Sequence, residues 1–455
     1  MLPLTRFVEL PAFARQAQRS VTCPEGFKAA GVATGVKKRG KLDLGMLVSE
    51  RPCVSAATFT GNAAAAAPVR LTRESADCTH LRAAVVNAGN ANAFTGKDGL
   101  ADAARMRLLT AQALRLPVEQ IAVASTGVIG VPLEMAKVER GIAEAAAALK
   151  PGGGEHFSQA IRTTDVTPKR GALELELEGG TVRLGAAAKG CGMISPRMAT
   201  MLAFVTCDAE VPAGAWGELL RGAVAKSFNR ITVDGQESTN DTVLGMANGA
   251  SGVRLGDAGL DALADALDAL LLSLAVAMVA DGEGATKAIR LAVEGARDTG
   301  EAERVARAVG TSPLVKTAFY GRDANWGRIV QAVGQAIGEN GTAAGPPGAG
   351  SAGAAPAAAS HTAGAASTGA SASASADAPV HAAAVPAEIL YEDLAVVRGG
   401  EPVPLSEGAQ EHLADIMAQH EIDVRVVLDG GGAATTLYFS DLTHEYVTLN
   451  AEYTT

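Results

Sequence analysis

KGCGMISPRMATMLAFVTCDA, residues Lys189 to Ala209, sets a glycine-rich stretch directly before Ala199-Thr200, and Thr200 opens an apolar, β-favouring run. Thr200 to Cys207 reads as a buried strand. Two readings of Thr200 are open on residue types alone. The ordinary one is a β-branched residue opening a core strand. The other is a chain that cuts itself between Ala199 and Thr200. A freed N-terminal threonine carries a nucleophile and a base on one residue, because its α-amino group can take the hydroxyl proton. The usual pKa of such an amine, near ~8, leaves a useful neutral fraction at cellular pH. Gly190 and Gly192 would give the backbone the freedom an internal acyl shift requires.

Strand-like runs recur on both sides of this segment, at Ala83–Val86, Gln120–Ser125, Leu173–Leu177 and Ile422–Leu428. Helical periodicity lies between them. Leu100, Ala104, Leu108 and Ala111 fall on one face of a segment that Leu116-Pro117 closes. A second helix follows Asp257, a candidate cap, with Leu260, Leu263, Leu267, Leu270, Leu271 and Leu274 on one side and Asp261, Asp265 and Asp268 on the other. The alternation predicts an α/β (α+β) protein with helices packed on extended sheets. From 341 to 386 the chain turns to Ala, Gly, Ser and Pro, which cannot bury enough apolar surface to offset chain entropy, so a disordered insertion is expected there.

A length of 455 residues is ample for two lobes with cores of their own. The net charge of −10 argues against a nucleic-acid or anionic-membrane partner. The short basic cluster Lys37-Lys38-Arg39 with Lys41 reads as a solvated turn. Five scattered cysteines fit reduced thiols in the cytoplasm, and no metal-ligand spacing appears among the seven histidines. The N-terminus lacks the apolar core of a signal peptide. The apolar run Ala269 to Ala280 is too short to span a bilayer. GEGATK, from Gly282, lacks the Gly-Lys-Ser/Thr ending of a phosphate loop.

The ATML string at Ala199 resembles the self-cleavage segment of the ornithine acetyltransferase family, the bifunctional glutamate N-acetyltransferases of arginine biosynthesis. The likeness extends, in order, over AATFTGNAAAAAPV from Ala56, VVNAGNANAFTG from Val85, ASTGVIG from Ala124, FNRITVDG from Phe228, STNDTV from Ser238, SPLVKTAFYGRDANWGRI from Ser312 and DLTHEYVTLNAEYTT at the end. The resemblance implies cleavage into an α chain, 1–199, and a β chain, 200–455, that stay together and pair as α2β2. It implies layered sheets and helices similar to, but distinct from, those of N-terminal-nucleophile hydrolases.

The same resemblance assigns roles. Thr200 is the nucleophile, and the Thr126 side chain and Gly127 amide form the oxyanion hole. Thr163, Lys189, Glu283, Asn450 and Thr455 contact substrate, Lys189 suiting an α-carboxylate and Glu283 the ornithine ammonium. Asn240 and Asp241 could orient the nucleophile or cap a helix, and Asn325 and Trp326 could shape the pocket wall, although scaffold roles are favoured for all four. The implied reaction moves acetyl from N2-acetylornithine to glutamate without metal or organic cofactor, with acetyl-CoA left open as a further donor. An amidase or aminopeptidase with the same nucleophile and water as acceptor is the rival reading.

Overall fold

In the computed structural model the described residues are 2–3, 5–18, 20–195, 201–212, 214–341 and 386–452. Ala199, Thr200 and Thr455 therefore lie outside the described residues, as does the 341–386 insertion apart from its two ends.

The strand Leu202–Cys207 shows why this chain forms layers. All six residues are buried, and they alternate between two cores. Ala203, Val205 and Cys207 face Leu263, Leu267, Leu270 and Leu274 of the helix Asp257–Ala280. Leu202 and Phe204 face the opposite way, onto Leu47, Val86, Ala122 and Ala124 of a second sheet. A strand of period two with no polar face must be covered on both sides, and here a helix covers one and a sheet the other. Phe157 meets Phe204 edge-on within the inter-sheet core, ring centroids 5.1 Å apart.

The site-bearing sheet has six strands in the order Ala14–Gln16, Lys169–Leu177, Gly180–Lys189, Leu202–Cys207, Thr242–Ala247, Val54–Phe59. Leu202–Cys207 and Thr242–Ala247 run parallel, and the other neighbours are antiparallel. The facing sheet has four, Phe27–Val32, Leu44–Ser49, Ala83–Asn90 and Ile121–Val128. Its outer face, with Met46, Val85 and Val123, packs on Ala103, Met106, Val138 and Ile142 of two helices. The result is a helix–sheet–sheet–helix stack, the layered α/β architecture expected. A seven-stranded sheet built around Ala288–Ala296 forms a separate core with the helices Thr299–Thr311, Pro313–Tyr320 and Trp326–Gly341.

Several local expectations change. The first long helix, Gly96–Leu114, buries Gly99, Ala103, Met106, Thr110 and Ala111; of the expected face, Ala111 is buried and Leu100 and Ala104 pack against the core half-buried, while Leu108 is exposed. The Thr110 hydroxyl donates back to the Met106 carbonyl, which lets a polar residue occupy the core face. Asp257 is the first helical residue rather than a cap, since Gly256 holds that position without a side-chain bond. That helix is 24 residues, longer than its purely apolar half, and is long and apolar enough to cross a membrane. Two-thirds of its apolar window is instead buried in the core described above. In the basic cluster Lys38, Arg39 and Lys41 are exposed, but Lys37 turns inward and donates to the Leu42 and Ala160 carbonyls at 2.7 and 3.0 Å. Burial lowers its pKa to about 8.

Candidate active site

Strand register builds the site. Lys189 stands opposite Leu202, and Leu202 opposite Thr242, so the ends of three adjacent strands meet at one edge of the six-stranded sheet. They open into a cavity of about 160 Å³ lined by Thr126, Gly127, Thr163, Lys189, Glu283 and Asn450. All of the substrate and oxyanion positions implied by the resemblance and described here thus converge on one space. Met201, covalently next to Thr200, lines it too. The chain is anchored on both sides of residues 196–200. Asp234 accepts from the Met193 and Ile194 amides at 2.5 and 2.9 Å, and the Met201 carbonyl accepts from Thr242 at 3.0 Å.

Thr126 and Lys189 are nearly buried, each 8% exposed, and the Lys189 ammonium donates to the Thr126 hydroxyl at 3.2 Å. A lysine ammonium has no acceptor, so the Thr126 oxygen must accept here and its own proton is directed elsewhere. Gly127 lies within the strand Ile121–Val128, where pairing with Ala83–Asn90 slips at Asn90, rather than in a turn after it. Its φ is +134°, and a Cβ there would fall 2.3 Å from the Gly89 carbonyl carbon. Only glycine fits on both counts. Asn240 braces this strand, its amide donating to the Ala91 and Ser125 carbonyls at 2.6 and 2.8 Å. Asn240 and Asp241 both line the cavity, and neither caps a helix. Asn325 and Trp326 are not among the lining residues; Asn325 bonds Asp323 and Trp326 packs against the second core.

Sequence reasoning missed the charge cluster behind Lys189. Asp165 accepts from Lys169 at 2.6 Å, from the Gly190 amide at 2.7 Å and from the Thr163 amide at 3.1 Å. Lys169 also pairs with Asp281. The Asp165 and Lys169 side chains are fully buried. Burial opposes ionisation of Asp165, but the Lys169 and Lys189 ammoniums outweigh it and hold the carboxyl below the usual range. Lys169 is the mirror case: burial opposes its charge, and Asp165, with smaller help from Asp281, raises it. The available signal was Asp165 and Lys169 flanking Thr167-Pro168, too common a pattern to single out.

The opposite wall is acidic. Glu283 accepts from the Thr164 hydroxyl at 2.7 Å and the Asn450 amide at 2.8 Å. The two upstream glycines part ways here. Gly190 has φ +150°, a backbone need as expected, whereas Gly192 provides room, since a Cβ would lie 2.6 Å from the Glu283 carboxyl carbon. Cys191, beside Thr164, is pushed up to about 12 by burial and is a thiol rather than a thiolate at neutral pH. No group of three or more metal-ligating side chains occurs among the described residues.

The sequence model of the ArgJ family matches residues 28–344 and 363–455, leaving a gap inside the low-complexity segment. The chain belongs to the ArgJ family. Among curated ArgJ proteins, each named arginine biosynthesis bifunctional protein ArgJ, that of Symbiobacterium thermophilum is 44% identical over 440 residues, 96% of this chain and 98% of its own. That of Nitratidesulfovibrio vulgaris is 42% identical over 434 residues, 94% and 98% of the two chains. Of solved structures, an ArgJ chain from Bacillus halodurans is 43% identical and covers 41% of this chain and 98% of its own, with a TM-score of 0.39. An ornithine acetyltransferase chain from Mycobacterium tuberculosis, complexed with ornithine, is 39% identical over 41% of this chain and all of its own, with a TM-score of 0.38. As an ArgJ protein this chain is an acyltransferase of arginine biosynthesis.

Proposed function

We propose that this ArgJ acyltransferase cuts itself between Ala199 and Thr200 and then moves acetyl from N2-acetylornithine to glutamate through an ester on Thr200. The Thr200 hydroxyl oxygen attacks the acetyl carbonyl carbon while its proton passes to the threonine's own α-amine. Thr126 and Gly127 donate to the oxyanion of the tetrahedral intermediate. The carbon–nitrogen bond breaks, the proton goes to the departing amine, and ornithine leaves. The glutamate amine then attacks the ester, restoring the Thr200 hydroxyl and releasing N-acetylglutamate. Acetyl-CoA could load the same threonine.

What carries this reading is the convergence of Thr126, Gly127, Thr163, Lys189, Glu283 and Asn450 on one cavity beside Met201. Lys189 suits an α-carboxylate because, among the described residues, Thr126 engages only one of its three donors. Glu283 suits the ornithine side-chain ammonium, and Thr455 would contribute a further substrate contact. The α and β chains, 1–199 and 200–455, would remain associated, since strands on both sides of the cut share one sheet, and would pair as α2β2 in the cytoplasm. No metal or organic cofactor enters the scheme.

Intact mass spectrometry of wild type and Thr200→Ala tests it. Wild type should appear as chains 1–199 and 200–455 and transfer acetyl between the two amino acids with little hydrolysis. The variant should stay whole and inactive. A folded, uncut wild type would defeat the mechanism, and rapid release of acetate to water would favour the amidase.

A further inference from the structure

The loop between the strand Ala83–Asn90 and the helix Gly96–Leu114 is stiffly built, yet it presents an aromatic ring to solvent. Asn92 is fully buried at φ +45°. Its side-chain amide donates to the Gly99 carbonyl at 2.8 Å, and its side-chain oxygen accepts from the Thr95 hydroxyl at 2.7 Å. Ala91 and Ala93 pack with Ala66 and Val69 in a small core of their own. Phe94, at φ +58°, is 87% exposed. A left-handed backbone is costly for a bulky aromatic, and that ring adds nothing to the core. Strain held in place by so many contacts, on a residue turned to water, points to a ligand.

Phe94 lines a cavity of about 640 Å³ distinct from the active one. Most of the lining is small and apolar, including Ala64, Ala65 and Leu100, and the two charged residues in it, Arg70 and Lys97, are both exposed cations. Arg70 meets Glu74 at 3.9 Å, a half-exposed pair too weak to keep it from another anion. The two cavities are neighbours. The Ala66 amide donates to the Thr239 carbonyl at 2.8 Å and the Gly130 amide to the Ala93 carbonyl at 2.9 Å, while Thr239 and Ile129 line the active cavity.

An apolar shelf, an aromatic face and two cations fit an aromatic base that carries phosphates. One ring offers about 150–250 Å² at most, well short of the roughly 800 Å² per partner that a stable protein interface buries. The active cavity, at about 160 Å³, has room for an amino-acid-sized group and none for a nucleotide. We propose that the second cavity docks the nucleotide end of acetyl-CoA, the adenine stacking on Phe94 and the phosphates meeting Arg70 and Lys97, so that the pantetheine arm reaches past Thr239 and Ile129 into the active cavity. This rests on the acyl-transfer reading above and gives its thioester donor a place. In that loading step a bond forms between the threonine oxygen and the acetyl carbonyl carbon, the carbon–sulfur bond breaks, and the hydroxyl proton ends on the departing sulfur. Transfer from N2-acetylornithine makes no use of Phe94.

Wild type and Phe94→Ala, each confirmed as processed by intact mass, test this with acetyl-CoA and with N2-acetylornithine as donors and glutamate as acceptor. Phe94→Ala should raise KM for acetyl-CoA about 10-fold, the size of one lost base-stacking contact, and leave kcat and KM with N2-acetylornithine unchanged. Arg70→Gln combined with Lys97→Gln should also raise KM for acetyl-CoA and flatten its dependence on salt. S-acetyl-N-acetylcysteamine, a thioester without a nucleotide, should serve wild type and variants equally. An unchanged KM for acetyl-CoA in Phe94→Ala would overturn the proposal. So would an equal rise for both donors, which would give the loop a structural role, or a smaller assembly by light scattering, which would assign the ring to a subunit contact. A wild type that uses N2-acetylornithine but not acetyl-CoA would defeat this site and leave acyl transfer standing. One that is uncut and inactive with both donors would defeat the acyl-Thr200 reading, and this inference with it.

Discussion

The two walls of the cavity are built in opposite ways. Behind Lys189 every charge is buried and answered: Asp165 and Lys169 are wholly enclosed, and the side chain of their third partner, Asp281, is 11% exposed. Around Glu283 the side chains are open. Glu283 and Thr164 are half-buried, and Asn450 is exposed on the helix His444–Glu452, which has no buried residue. The difference matches what two alternating substrates would require. Glutamate and ornithine share an α-carboxylate and an α-amine but differ in side-chain charge. A rigid wall suits the shared end, where the chemistry occurs, and an open wall suits the end that changes sign.

Breaking the rigid wall should have the largest effect on the fold itself. Lys169→Met leaves Asp165 and Asp281 buried without their shared cation, a change that costs about 3–5 kcal/mol. Urea unfolding should show that loss, and a midpoint unchanged from wild type would mean the pair is not stabilising. The pH dependence has a definite sign. Asp165 is held below its unfolded value, so its contribution is present above about pH 4 and fades as pH falls below that. Lys169 is held above its unfolded value, so its contribution is complete below about pH 10 and is lost only as pH rises through the folded value. The pair should therefore support the site across the whole neutral range, and the variant's stability deficit should shrink in acid.

Thr126→Val sharpens the comparison, because it removes one hydroxyl from the rigid wall at nearly constant volume. Losing an oxyanion donor typically lowers kcat by about 10²- to 10³-fold. Stability should fall less than in Lys169→Met, although the buried Lys189 ammonium loses a partner. Thr126→Ser should keep most of the rate. If valine and serine behave alike, the hydroxyl has no part in the oxyanion hole.

The sequence made the motifs legible and left their surroundings dark. Thr126, Gly127, Lys189, Glu283 and Asn450 could be named because each sits in a string matched by resemblance, and the sheet then brought them together. Residue types alone would not have chosen them. The Asp165–Lys169–Asp281 cluster was invisible, since Asp281 is separated from Lys169 by 112 positions and only the packing of the Asp257–Ala280 helix brings them together. Gly192 was credited with flexibility when its need is space for a carboxyl from another segment. The face of Gly96–Leu114 was caught in part: Ala111 is buried and Leu100 and Ala104 pack against the core, but the small and back-bonded residues Gly99, Ala103 and Thr110 fill its centre and Leu108 is exposed. The strand expected over Thr200–Cys207 is present as Leu202–Cys207, because a run of apolar, β-favouring residues admits few alternatives to a buried strand; its burial on both faces emerged only from the packing.

The open wall should respond in binding rather than in fold. Glu283→Gln keeps the volume and an oxygen able to accept from Thr164 or Asn450, and removes only the charge. A charge-assisted hydrogen bond to an ammonium is worth about 1.5–3 kcal/mol, so KM for N2-acetylornithine should rise by roughly 10- to 100-fold. The glutamate half-reaction carries a carboxylate where ornithine carries an ammonium, so its KM should stay level or fall. Melting temperature should move little, since Glu283 is half-buried and neutral partners remain. Measuring the two half-reactions separately separates the alternatives. If Glu283→Gln weakens both substrates equally, Glu283 recognises what they share, and the division between a rigid common end and an open distinguishing end is wrong.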